Sequence, residues 1–260
     1  MTDRPPAAIR PAATILLVRD DPAFEVLMVK RHHQIDFASG ALVFPGGKTH
    51  ESDHDGAWAG FCLGWEAVEA EQRPLRIAAI REAFEETGII LGRFENGEPF
   101  HGDEWAASVR GEVDRGERPF LEVVSRLGLR LDLTSLTVFA RWITPDLMPK
   151  RFDTWFYLAT AGDDQLAACD GRETVDAEWI APLEALRLAE TGERTIIFPT
   201  RMNLQLLGEA ASAADATARA AGRTLVTVEP KLERREGGGV LVIPPEAGYG
   251  AVEEPISALR

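Results

Sequence analysis

Glu82, Glu85 and Glu86 lie in the run Arg81-Glu82-Ala83-Phe84-Glu85-Glu86-Thr87-Gly88. On a helix this spacing of i, i+3 and i+4 gathers three carboxylates on one side. Ile77, Ile80, Phe84 and Gly88 fall on another side, which is apolar and suited to burial. Carboxylates about 6 Å apart repel by roughly 3 kcal/mol per pair at an effective dielectric of 20. A divalent cation offsets that repulsion, and an all-carboxylate set suits Mg²⁺ or Mn²⁺ better than zinc. Arg81, four positions before Glu85, can orient it. The competing reading is a solvated acidic face on a helix that stops at Gly88, and the triplet alone favours it.

A second candidate is His50-Glu51-Ser52-Asp53-His54, which spells H-E-x-x-H. A zinc peptidase carries that motif in the middle of a helix. Here it follows Pro45-Gly46-Gly47 closely, contains weak helix formers and has no apolar periodicity, so both histidines are expected in a surface loop. Arg31, His32, His33, Arg141, Arg151 and Arg201 are candidates for phosphate contacts, because a guanidinium fork binds phosphate oxygens in pairs. Trp142, Phe152 and Trp155 could stack a nucleobase, although aromatics in strands are more often core. Cys62 and Cys169 form no CxxC, and two thiols in 260 residues make no disulfide scaffold. A reducing, cytoplasmic setting follows as the expectation.

The elements that would position these groups are an interleaved set. Residues 12–19 and 24–31 predict a hairpin across Asp20-Asp21-Pro22, and 41–44 a short strand ended by Pro45-Gly46-Gly47. Residues 76–90 predict the main helix, 54–75 a short helical excursion, and 101–130 two helices. Strands are expected at 136–144, 152–160 and 178–181. Pro182 opens a helix to Glu190, and a long helix is expected over 199–221. The pieces 224–228 and 240–243 predict a last hairpin around Gly237-Gly238-Gly239. The pattern predicts one α/β domain over 1–260 with a mixed sheet. It carries insertions at 54–75 and 101–130 and a C-terminal helix-plus-hairpin extension over 199–260.

The net charge is −14, from 28 basic and 42 acidic residues. That balance argues against nucleic acid and anionic membrane as partners. The N-terminus has no apolar signal segment, and no apolar run is long enough to span a bilayer.

The run 81–89 together with Gly47 resembles the signature of the Nudix hydrolases, G-x5-E-x7-R-E-U-x-E-E-x-G-U with U aliphatic. Asp53 stands where the family has its first glutamate. Twenty extra residues separate it from Arg81. The resemblance implies a Nudix-type α/β/α sandwich with a mixed β-sheet and helical insertions. It implies Mg²⁺ or Mn²⁺ held by Glu82, Glu85 and Glu86, with the Gly47 carbonyl and Glu173. Glu85 or Glu173 would then take the proton from water, with Arg81 as an orienting group. Arg31, Arg141, Arg151, Phe44 and Gly46 are expected at the substrate.

More narrowly, Lys30-Arg31, Phe37-x2-Gly40-x3-Phe44-Pro45-Gly46-Gly47, the split box, and Ala140-Arg141-Trp142-Ile143-Thr144-Pro145 followed by Arg151-Phe152-Asp153-Thr154 resemble the coenzyme A diphosphatase branch. The implied reaction cleaves the diphosphate of a small-molecule nucleotide. Coenzyme A or acyl-coenzyme A would give 3′,5′-ADP and (acyl-)4′-phosphopantetheine. An ADP-ribose or NADH pyrophosphatase and a non-catalytic ligand sensor are the alternatives. A homodimer is implied by family habit alone.

Overall fold

The computed structural model describes residues 7–31, 40–162, 174–236 and 238–256, with Arg31, Thr174 and Val175 described in backbone only. His32, His33, Phe37, Cys169 and Glu173 lie outside the described residues. In chain order the strands are β1 (Ile9–Arg19), β2 (Glu25–Arg31), β3 (Leu42–Val43), β4 (Gly46–Lys48), β5 (Cys62–Leu63), β6 (Gly92–Phe94), β7 (Leu129–Asp132), β8 (Thr137–Ile143), β9 (Arg151–Thr160), β10 (Thr174–Ile180), β11 (Thr227–Val228), β12 (Lys231–Arg235), β13 (Gly238–Val242) and β14 (Glu253–Pro255). The α-helices are α1 (Arg73–Thr87), α2 (Glu104–Asp114), α3 (Phe120–Arg126), α4 (Pro182–Glu190), α5 (Phe198–Leu207) and α6 (Ala213–Gly222).

Ala13 to Val18 is apolar at nearly every position, the pattern of a strand covered on both faces. β1 occupies that place. The main sheet runs β10-β2-β1-β9-β8-β11, with β3 added to β2 and β4 to β1. β1 and β9 run parallel from Ile9 opposite Arg151 to Val18 opposite Thr160, while β1 and β2 are antiparallel. Alternate residues serve two cores. Ala13, Ile15, Leu17 and Tyr157 pack with α1, α2 and α3. Leu16, Val18, Phe156 and Leu158 pack with α4, α5 and α6. The mixed sheet between two helical layers is the α/β architecture expected from the sequence.

Four expectations are corrected. The 199–221 helix is two helices, because Ser212 accepts from the Asp215 amide at 3.1 Å and caps a new one. The last hairpin is β12 with β13, whereas Thr227–Val228 joins the main sheet parallel to β8. The main helix, expected over 76–90, runs Arg73–Thr87, and the short helical excursion expected over 54–75 takes the form of 3-10 turns around β5. Residues 129 and 130, expected at the end of the second helix of 101–130, instead begin β7, which joins β5 and β6 in a separate small sheet. Alternating Leu129 and Leu131 carried that signal.

Candidate functional site

α1 carries the acidic run, and its end is fixed by Gly88, whose φ of 81° suits a residue without a side chain. Glu82, Glu85 and Glu86 are 7%, 5% and 7% exposed, so they do not form a solvated face. They lie beneath β4. A Cβ on Gly47 would sit 2.5 Å from Glu82 Oε1, so any side chain there would displace the Glu82 carboxylate. The Gly46 amide donates to Glu86 Oε2 at 3.3 Å.

Arg81, 2% exposed, ties the cluster together. Its Nη1 donates to Glu82 Oε1 at 2.9 Å and Glu85 Oε2 at 2.8 Å. Its Nε and Nη2 donate to the two oxygens of Asp53 at 3.0 and 3.1 Å, and Nη2 also to the Lys48 carbonyl at 2.8 Å. Asp53 further accepts from the His50 amide at 2.7 Å. Asp53 therefore serves Arg81, a relation that sequence spacing left open. The signal was its place as the acid following the glycine by the signature's first interval.

Burial pulls the Arg81 pKa down, but Glu82, Asp53 and Glu85 outweigh it and hold the guanidinium charged. Burial pushes the Glu85 carboxyl up to about 8, with Arg81 opposing and Glu82 adding to the rise. Glu85 Oε1 is buried with no hydrogen-bond partner. One guanidinium thus faces three carboxyl groups, with Glu86 a fourth acid on the same helix. Among the described residues, no three acidic, histidine or cysteine side chains are gathered closely enough to hold a metal ion as they stand. Glu82 and Glu85 are turned toward Arg81 instead. The all-oxygen donor set, the surplus of negative charge and the orphaned Glu85 oxygen nonetheless fit a hard divalent cation.

The H-E-x-x-H segment is a 3-10 turn over Glu51–His54 with both histidines exposed. A zinc helix is excluded there. Phe44 is 3% exposed and packs in the core on the face away from α1, so it is a core group and not a contact surface. Arg151 is buried, donating to the Thr144 carbonyl at 3.0 Å and to Glu229 Oε1 at 2.8 Å. Arg141 donates to both oxygens of Asp153 at 2.9 and 2.6 Å. Both arginine forks are thereby engaged with carboxylates, partners that sequence reading missed. Arg31 lies in β2, and Glu173, the other expected base, lies outside the described residues.

A buried acid-rich helix docked beneath a Gly-Gly strand of a mixed α/β/α sandwich defines a Nudix-type fold. The family model of the NUDT19 Nudix domain matches residues 64–205, more than half of the chain, and the chain belongs to this family. It is 27% identical over 208 residues to the acyl-coenzyme A diphosphatase NUDT19 of Xenopus laevis, covering 63% of this chain and 54% of that protein. It is 27% identical over 264 residues to the human protein of the same name, covering 85% of this chain and 70% of that one. The chain thus spans 54% and 70% of the length of these two curated relatives. A crystal structure of a Nudix hydrolase from Alicyclobacillus acidocaldarius superposes with a TM-score of 0.69 at 29% identity, covering 82% of this chain and 96% of that one. Among the described residues no helix is long and apolar enough to cross a membrane.

Proposed function

We propose that this protein is a divalent-metal-dependent pyrophosphohydrolase that cleaves the diphosphate of coenzyme A or an acyl-coenzyme A, giving 3′,5′-ADP and (acyl-)4′-phosphopantetheine. The observation that carries the reading is the buried Arg81 cluster, with its surplus of carboxylates and the unpartnered Glu85 oxygen. The diphosphatase names of the relatives support the substrate class.

Glu82, Glu85 and Glu86 would hold Mg²⁺ or Mn²⁺. When bound, the cation supplies charge against the diphosphate and lowers the pKa of water. Glu85, oriented by Arg81, accepts the proton of the attacking water, with Glu173 as the other candidate. Water attacks one phosphorus in line, the bridging P–O bond breaks, and the other phosphate leaves with its electron pair. Gly47 lets β4 approach Glu82, and the Gly46 amide orients Glu86. Asp53 keeps Arg81 in place, where its Nη1 compensates Glu82 and Glu85.

The ADP-ribose and NADH reading is separated by a product-resolved screen of coenzyme A, acyl-coenzyme A, ADP-ribose and NADH with Mg²⁺ and with Mn²⁺. The proposal expects 3′,5′-ADP from the coenzyme A substrates at the highest kcat/KM. Preferred cleavage of ADP-ribose or NADH overturns the substrate, and no cleavage of any of them overturns the activity. A non-catalytic sensor is disfavoured because all three helix glutamates are present.

A further inference from the structure

Arg141 was expected to grip phosphate through its fork, but that edge is spent on Asp153. What remains is its plane. The guanidinium carbon lies 4.7 Å from the centre of the Trp155 ring, so the indole backs one face of a planar cation whose orientation Asp153 locks. The Arg141 side chain is about a third exposed.

The position of this stack follows from strand register. Gly47 pairs with Ala13, Ala13 with Trp155, and Trp155 with Arg141. Registered partners present their side chains on one face of the sheet. On that face Ala13 packs with the α1 core, and Glu82 sits where a Gly47 Cβ would be. The acidic cluster and the Arg141–Trp155 stack therefore share a face and a row. At strand spacings of about 4.8 Å, Trp155 lies roughly 10 Å and Arg141 roughly 14 Å from Gly47, Cα to Cα. The ribose of a nucleotide whose diphosphate lies at the carboxylates bridges such a gap.

We propose that Arg141 is the nucleobase contact: a purine stacks on the face of its guanidinium turned away from Trp155, with Asp153 as a positioning residue. Guanidinium planes stack on bases, and the electron-rich ring attracts the cation. This rests on the nucleotide-diphosphate reading above, and it assigns specificity to a plane and not to a charge.

The test is binding of 3′,5′-ADP and, separately, of inorganic pyrophosphate, each with Mg²⁺, to the wild type, Arg141→Lys and Asp153→Asn. Thermal melting establishes that each variant is folded. Arg141→Lys keeps the charge and loses the plane. It is expected to weaken 3′,5′-ADP about tenfold, to leave pyrophosphate unchanged, and to raise KM for coenzyme A with little change in kcat. Asp153→Asn is expected to do the same to a smaller degree. Because variants at this pair can fail to fold, Trp155→Phe provides a second measurement. It keeps an aromatic backing and should hold affinity near wild type, while removing the part of the tryptophan fluorescence change on 3′,5′-ADP binding that belongs to Trp155. Equal weakening of both ligands by Arg141→Lys would make Arg141 a phosphate contact and overturn the inference, as would full affinity for 3′,5′-ADP. If the wild type fails to cleave coenzyme A but 3′,5′-ADP binding still depends on the Arg141 plane, the function falls and the inference stands.

Discussion

Arg81 and Asp53 are 28 positions apart and meet in a doubly hydrogen-bonded pair, each about 2% exposed. The pair joins the 3-10 turn over Glu51–His54 to α1 across the inserted segment. Removing Asp53 leaves Arg81 paired with Glu82 and Glu85 but strands its buried Nε donor, which costs about 1–3 kcal/mol. Asp53→Ala should lower unfolding stability by that amount in urea and reduce kcat. Asp53→Glu, which retains the carboxylate, should recover part of both. A loss below about 1 kcal/mol for Asp53→Ala would show that Arg81 finds another anchor.

Gly47→Ala tests close approach separately from charge. The added methyl meets the Glu82 carboxylate at contact distances no real Cβ tolerates, so the carboxylate must move from the position in which it accepts from Arg81. Turnover should fall by about a hundredfold, with the metal concentration for half-maximal activity raised. Circular dichroism should remain unchanged. Normal turnover would mean that the Glu82 position seen here is not used in the reaction.

Cys62 is 1% exposed, and burial pushes its thiol up to about 12, with Arg130 opposing. A raised thiol pKa means that the folded state holds the proton more tightly than the unfolded chain. Its contribution to stability is present below the ordinary value of 9.0 and is lost as pH rises through about 12. In a Cys169→Ser background, a thiol reagent at pH 8.5 should label only unfolded protein, at a rate that rises with urea. Rapid labelling of the folded protein would contradict the buried site.

The C-terminal segment is held to the sheet by polar links. Trp142 Nε1 donates to Tyr249 Oη at 3.1 Å, and Tyr249 donates to Asn203 Oδ1 at 2.7 Å. Glu254 accepts from Arg201, and Glu229 from Arg151. Tyr249→Phe strands Trp142 Nε1 and Asn203 Oδ1 without changing shape. It should cost about 1–3 kcal/mol in denaturant unfolding and leave kcat/KM near wild type. A large loss of activity with unchanged stability would place this extension in the reaction.

Much of this arrangement was legible because it depends on local periodicity. The i, i+3, i+4 acids, the Gly88 stop and the Pro182 start are written in neighbouring residues, and α1 and α4 end and begin there. What was hidden depends on partners distant in sequence. Charge spacing alone favoured a solvated face for Glu82, Glu85 and Glu86, whereas β4 and Arg81 bury them. Arg141 and Arg151 read as free cations because Asp153 and Glu229 reach them only through sheet pairing and the C-terminal return. Ser212 is a local cap that was overlooked within an alanine-rich stretch.

The claim that these carboxylates exist for a cation is tested most directly by Mg²⁺-dependent turnover of coenzyme A in folded Glu85→Gln and Glu86→Gln. Each substitution keeps size and one acceptor oxygen while removing the ionisable carboxyl. The account predicts that both lose at least about a hundredfold in kcat and that added Mn²⁺ does not restore it. Undiminished Mg²⁺-dependent cleavage in both variants would contradict it.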